Sequence, residues 1–100
     1  MPKKKTKTIP WDAAEYLKTP KDMAAYLDAM IEESGGDPGA IALAMGDIAR
    51  AKGMTAIAKE SGLGRESLYK ALSPEGNPEF ATILKVLKAL GLKLHVSPAH

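Results

Sequence analysis

The chain of 100 residues contains no cysteine. That excludes a disulfide framework, a thiol nucleophile and a thiolate metal site, and it suits a reducing compartment. Histidine is almost as scarce, present only as His95 and His100. Both lie at the end of the sequence, so neither a metal site nor a catalytic imidazole is expected. The neighbouring carboxylates Glu32 and Glu33 fall on an exposed helix end without the signature of a shaped pocket. The glycine-rich stretch at 35–39 lacks the lysine and the preceding strand of a phosphate-cradling loop. No enzyme and no cofactor are therefore expected. The longest low-polarity run, 39–46, is far shorter than the ~20 residues that span a bilayer. The N-terminal lysines have no apolar segment behind them, unlike a secretory signal. The expectation is a soluble, cytoplasmic protein without a membrane partner.

What is present is one domain's worth of chain and an uneven distribution of charge. The formal net charge is +2. Residues 1–8 carry four lysines and no acid, whereas residues 9–49 carry eight acids against two lysines. Residues 50–72 then carry five basic side chains against two acids. A basic patch on one element is the electrostatic footprint of nucleic-acid binding. The acidic front half suits a different, basic partner, or is simply a solvated helix face. Residues 1–8 read as a flexible basic arm, either a solubilising tail or a segment that follows phosphates. Residues 9–100 read as a single domain.

Helix signals punctuate that domain. Asp12 caps a short helix over 11–17, with Trp11, Tyr16 and Leu17 as its apolar groups. Thr19, Pro20 and Asp22 start a second helix that runs to about Glu33. Met23, Tyr26, Leu27, Met30 and Ile31 form its stripe. Ser34, Gly35 and Gly36 end it, and Asp37 with Pro38 starts the next. Ile41, Ala44, Met45 and Ile48 are the buried seam of that third helix. Gly46 within it weakens the helix by ~1 kcal/mol relative to alanine and would admit a close neighbour. Asn77 and Pro78 cap a later helix, 79–90, with Phe80, Ile83, Leu84, Leu87 and Leu90 on its apolar face and Gly91 as its stop. Leu92, Lys93, Leu94, His95 and Val96 alternate apolar and polar and read as a strand. A lone strand needs a partner. Pairing with the same strand of a second copy is one solution, and an irregular tail is the other.

Between these lies TAIAKESGLGRESLYKAL, residues 55–72. It reads as two short helices and a tight turn within a helix-turn-helix spanning 54–73. Ala58 is small enough for the helices to cross closely, and Gly62 takes the positive φ that the turn needs. Ile57, Leu63, Leu68 and Leu72 supply a shared apolar seam. Arg65, Glu66, Ser67, Tyr69 and Lys70 point outward from the second helix, as in a DNA-binding unit whose second helix enters the major groove. Arg65 can fork onto guanine O6 and N7. Glu66 can accept from cytosine N4 or merely neutralise Arg65. Ser67 suits a phosphate or a base, Lys70 a phosphate, and Tyr69 a phosphate or a thymine methyl. Lys59, with Arg50 or Lys52, would hold the flanking backbone. The candidate DNA-binding set is Lys59, Gly64, Arg65, Glu66, Ser67, Tyr69 and Lys70. The alternative for each is a solvated surface side chain.

Five segments resemble a known family: WDAAEYL at 11–17, GDIARAKGM at 46–54, GLGRESLYKALSPEGNP at 62–78, FATILKVLKALG at 80–91 and LKL at 92–94. Together they are similar to the addiction-module antidote proteins, HigA-like antitoxins with a phage-repressor-type (Xre/Cro) helix-turn-helix. One departure is Gly64, where a serine or threonine usually caps the second helix. The resemblance implies an antitoxin of a type II toxin–antitoxin module. Such a protein neutralises a small basic toxin of the RelE/ParE type and represses its own operon by binding a palindromic operator as a homodimer. A prophage-type DNA-binding protein without a toxin, and a toxin inhibitor whose helix-turn-helix is only a scaffold, are the alternatives. The expected fold is all-α, a bundle of about five helices with a short C-terminal β-strand.

Overall fold

A computed structural model describes residues 17–99. The short helix expected at 11–17 and the basic arm at 1–8 lie outside the described residues, apart from Leu17, which is buried. Five helices follow: α1 (Pro20–Ser34), α2 (Pro38–Lys52), α3 (Met54–Ser61), α4 (Arg65–Ala71) and α5 (Phe80–Ala89).

The helix starts follow local chemistry. Thr19 accepts a hydrogen bond from the Asp22 amide at 3.1 Å, and the Asp22 carboxylate accepts one from the Thr19 amide at 3.3 Å. This reciprocal capping box satisfies donors that the first turn cannot pair internally. Asp37 caps α2 by accepting from the Ala40 amide at 2.9 Å, with Pro38 in the first turn. At the other end of α1, Gly35 and Gly36 send their amides back to the Glu32 and Ile31 carbonyls.

The core forms where α2, α3, α4 and α5 meet. Ile48, Ile57, Leu68, Val86 and Leu90 are completely enclosed, and Leu17, Met45 and Leu72 nearly so. Full burial of each large aliphatic side chain contributes about 1.5–3 kcal/mol relative to exposure. Helix α1 packs mainly on α2, while α3 touches α2, α4 and α5. Gly46 sits where α2 passes the end of α4: a Cβ there would lie 3.0 Å from the Leu72 carbonyl oxygen. The close neighbour expected from the sequence is therefore Leu72.

One charged side chain is buried among the described residues. Asp47 accepts a 2.7 Å hydrogen bond from the Tyr26 hydroxyl and a longer one, 3.4 Å, from Arg50 Nη1. These partners offset the cost of enclosing a carboxylate and tie α1 to α2.

Three expectations need correction. The last helix, expected over 79–90 with Asn77 and Pro78 as its cap, spans Phe80–Ala89 with Glu79 at the cap position, and no side chain caps it. Gly76 is pressed against the Lys70 and Ala71 carbonyls, leaving no room for a Cβ. This holds the 73–76 turn on the end of α4, so 77–79 must carry the chain across to α5, with Glu79 extended. The second correction concerns the face of α5. Val86, Leu87, Ala89 and Leu90 are buried, whereas Phe80 is 62% exposed and Leu84 41%. The buried arc is rotated from the expected stripe toward Val86 because α5 packs on α3. The third is the strand. Residues 92–99 form no regular secondary structure, and there is no strand among the described residues. Without a second strand, the backbone of Leu92, Lys93, Leu94, His95 and Val96 has no ladder to join.

Candidate nucleic-acid interface

Helices α3 and α4 are joined at Gly62, which adopts φ 80° and donates its amide to the Lys59 carbonyl at 3.3 Å. The left-handed conformation is the one expected there, and it costs glycine least. Ser61 adds a local bond, its hydroxyl accepting from the Leu63 amide at 3.3 Å. Helix α4 is short, seven residues, and would be marginal alone. Burial of Leu68 and Leu72 holds it in place, while Leu63 packs partly against the same cluster.

Those anchors determine which side chains remain outside. Arg65, Glu66, Ser67, Tyr69 and Lys70 are all exposed on α4, and Lys59 is exposed on α3. The structure therefore brings the candidate set onto one helix and its neighbour. Gly64 occupies the cap position of α4 with an extended backbone (φ −70°, ψ 159°) and no side-chain cap bond. A Cβ at Gly64 would meet nothing within 4 Å, so a serine would fit.

Two of these side chains are paired. Arg65 Nη2 donates to the Tyr69 hydroxyl at 3.5 Å, and its guanidinium carbon lies 5.8 Å from the Tyr69 ring centroid. This is the one-turn spacing at which helix side chains meet. It limits the wandering of a long side chain without enclosing its charge. By sequence alone, Arg65 and Tyr69 are separate contacts. Glu66 makes no ion pair with Arg65, and the only ion pair among the described residues joins Arg50 to Asp47.

The basic surplus is less concentrated here than the charge count over 50–72 suggests. Arg50 is turned onto Asp47, and Lys52 Nζ donates to the Ala89 carbonyl at 3.0 Å, fastening α2 to the end of α5. Both were candidates for holding a flanking phosphate backbone, and both are engaged within the fold. Lys59, Arg65 and Lys70 are the cations left around α4. A signal was available in part: Asp47 and Arg50 stand at helical i, i+3 spacing.

The ground beside α4 is not legible from the sequence. A cleft of about 660 Å³ runs between α4 and the following loop, bordered by Ser67, Lys70, Ser73, Glu75 and Asn77. Asn77, expected as a helix cap, instead stands exposed beside Ser67 and Lys70. Its amide can both donate and accept.

Among the described residues no group of three or more histidine, cysteine, aspartate or glutamate side chains is arranged to hold a metal ion. No helix among them is long and apolar enough to cross a membrane.

Helix α4 is thus a short, core-anchored helix that presents an exposed polar set. Comparison with known proteins identifies the chain's family. Residues 7–98 match the family described as "Probable addiction module antidote protein", and the chain belongs to that family. It is also similar to an uncharacterized protein of Haemophilus influenzae, 46% identical over 86 residues, which cover 86% of this chain and 87% of that protein. No solved structure gives a significant match.

Proposed function

We propose that this antidote is a DNA-binding transcriptional repressor, the antitoxin of a type II toxin–antitoxin module. It neutralises a RelE/ParE-like toxin and autoregulates its operon. In this reading α3 and α4 are the two helices of a HigA-like, Xre/Cro-type helix-turn-helix, and α4 is the recognition helix. The protein acts in the cytoplasm as a homodimer, and no catalytic step is assigned to it. Two copies of α4 would enter successive major grooves about 34 Å apart and exclude polymerase.

The observation that carries the proposal is the division of α4. Leu68 and Leu72 are locked in the core, while Arg65, Glu66, Ser67, Tyr69 and Lys70 all face solvent. Arg65 stands in the first turn, the part of a recognition helix that reaches base edges. Its guanidinium can donate two parallel hydrogen bonds to guanine O6 and N7. Lys59 and Lys70 supply phosphate contacts and salt-dependent affinity. Asn77 and Ser73, at the cleft beside Lys70, extend the polar surface along the backbone of the same site.

The test is binding to the DNA upstream of the protein's own gene. Arg65→Ala should cost about 1–3 kcal/mol and relax base preference at one position. Lys70→Ala should weaken binding to all sequences and lower the salt slope by about 1. If both variants bind like the parent, α4 is not the recognition helix.

A second reading is a toxin inhibitor in which α3 and α4 only scaffold the fold. The internal bonds of Arg50 and Lys52 favour it, because they remove two cations from the phosphate-contacting inventory. Failure of the parent protein to bind its upstream DNA would select this reading.

A further inference from the structure

Far along the chain from α4, the outer face of α1 and the C-terminal segment 92–97 enclose a groove of about 540 Å³. Its floor and walls are apolar, formed by Leu27 and Ile31 of α1, Leu87 of α5, and Leu92 and Leu94 of the tail. Ala24 and Ala25 on α1 are small, which keeps the groove open along the helix. Two of the large residues are left well exposed, Ile31 at 38% and Leu94 at 52%. Leu92 is fastened at the base, its amide donating to the Leu87 carbonyl at 2.8 Å. The tail wall therefore has a fixed root, although it has no ladder of its own.

Charge distinguishes one rim. Helix α1 carries Asp22, Asp28, Glu32 and Glu33 against a single lysine, Lys21. Asp22 is committed to the capping box with Thr19. The carboxylates of Asp28, Glu32 and Glu33 have no hydrogen-bond or ion-pair partner among the described residues. Asp28 lines the groove itself, and Glu32 stands one turn further on, beside Ile31. Lys93 and His95 stand on the opposite wall. An apolar trough with Asp28 on its helical wall, and Glu32 and Glu33 exposed on the same helix beyond it, complements a segment that presents apolar side chains with lysine or arginine on the α1 side, away from Lys93 and His95.

We propose that this groove is the toxin-docking surface of the antidote, and that its occupant is a basic, amphipathic segment of the toxin. The proposal rests on the antitoxin function proposed above. Apolar anchors from the toxin fill the trough over Leu27, Leu87 and Leu92. Its cations pair with Asp28 and Glu32, steering approach and fixing register. Ile31 and Leu94 form the two lips that close on the anchor. No large contact joins α1 to α4, and no residue of α4 lines the groove. Toxin and DNA can then be held by the same copy of the protein.

The probe is the product of the reading frame adjacent to this gene, co-expressed with the full chain and purified. Binding is measured by titration calorimetry for the parent, Asp28→Lys/Glu32→Lys, Leu94→Asp and Arg65→Ala/Lys70→Ala. All the altered side chains are exposed, and the one internal bond among them is the surface pair of Arg65 with Tyr69, so thermal melting should be nearly unchanged and serves as the folding control. The charge-reversed pair and Leu94→Asp should each weaken binding at least tenfold. The α4 pair should leave it within twofold. Amide exchange on the parent complex supplies a readout without substitution: protection should concentrate in α1 and residues 92–97. Parental affinity in both groove variants, with protection elsewhere, overturns the groove while leaving the antitoxin function intact. Loss of self-association in the groove variants, with toxin binding retained, would instead make the groove a contact between copies and also overturn the proposal. If the parent chain does not bind that protein, the antitoxin function itself fails, and the docking surface with it.

Discussion

The α4 surface and the α1 groove are built in opposite ways. Helix α4 is seven residues long, has no side-chain cap and owes its position to Leu68 and Leu72. Its exposed face is polar. Helix α1 is fifteen residues long, closed by a reciprocal capping box at one end and two positive-φ glycines at the other. Its outer face mixes carboxylates with unburied apolar groups. A short helix locked by the core suits recognition that depends on the placement of a few donors and acceptors. A longer, self-sufficient helix suits a surface that gains affinity by covering apolar area. In α4 the site depends on the core, whereas in α1 it depends on local helix chemistry and on the tail that forms its second wall.

The largest expected effect comes from the shared core. Leu68→Ala should lower stability by about 2–5 kcal/mol, measured by urea unfolding. It should lower DNA affinity further than stability alone requires at temperatures where the protein remains folded, because it loosens α4. Equal loss of affinity at the α1 groove would erase the contrast. A smaller effect is expected at α1. Thr19→Ala removes one half of the capping box and should cost about 1 kcal/mol, seen as a lower unfolding midpoint with DNA affinity unchanged. The smallest effect sharpens the α4 side. Gly64→Ser supplies the missing cap in open space and should raise stability by a few tenths of a kcal/mol. If the serine instead weakens DNA binding, the backbone at Gly64 lies against the duplex.

Much of this arrangement is legible in the sequence because it is local. Thr19 with Asp22, Asp37 with Pro38, and Gly62 at the turn each declare themselves within a few positions, and each acts as its chemistry predicts. The seam of Ile57, Leu68 and Leu72 is likewise a matter of helical spacing. What is not legible depends on partners distant in the chain. Asp47 reads as another acid of the front half until Tyr26, on a different helix, reaches it. Lys52 reads as a surface cation until the Ala89 carbonyl comes beside it. Asn77 before Pro78 satisfies two readings, a cap and an extended pre-proline residue. Packing of the 73–76 turn against α4 decides between them. The alternation in residues 92–96 is a period-2 pattern without a neighbour, and pattern alone does not supply one. The exposure of Arg65, Glu66, Ser67, Tyr69 and Lys70 on α4 follows from helical spacing. The pairing of Arg65 with Tyr69, and the cleft that places Asn77 beside Lys70, needed the fold.

The central claim is that α4 reads DNA while α1 serves another partner. Fluorescence-anisotropy titration of the gene's own upstream DNA tests it most directly, comparing the parent with Arg65→Ala/Lys70→Ala and with Asp28→Asn/Glu32→Gln at one salt concentration. A loss of at least tenfold in the first variant and less than twofold in the second is the predicted result. Parental affinity in the Arg65→Ala/Lys70→Ala protein, or an equal loss in both, would contradict it.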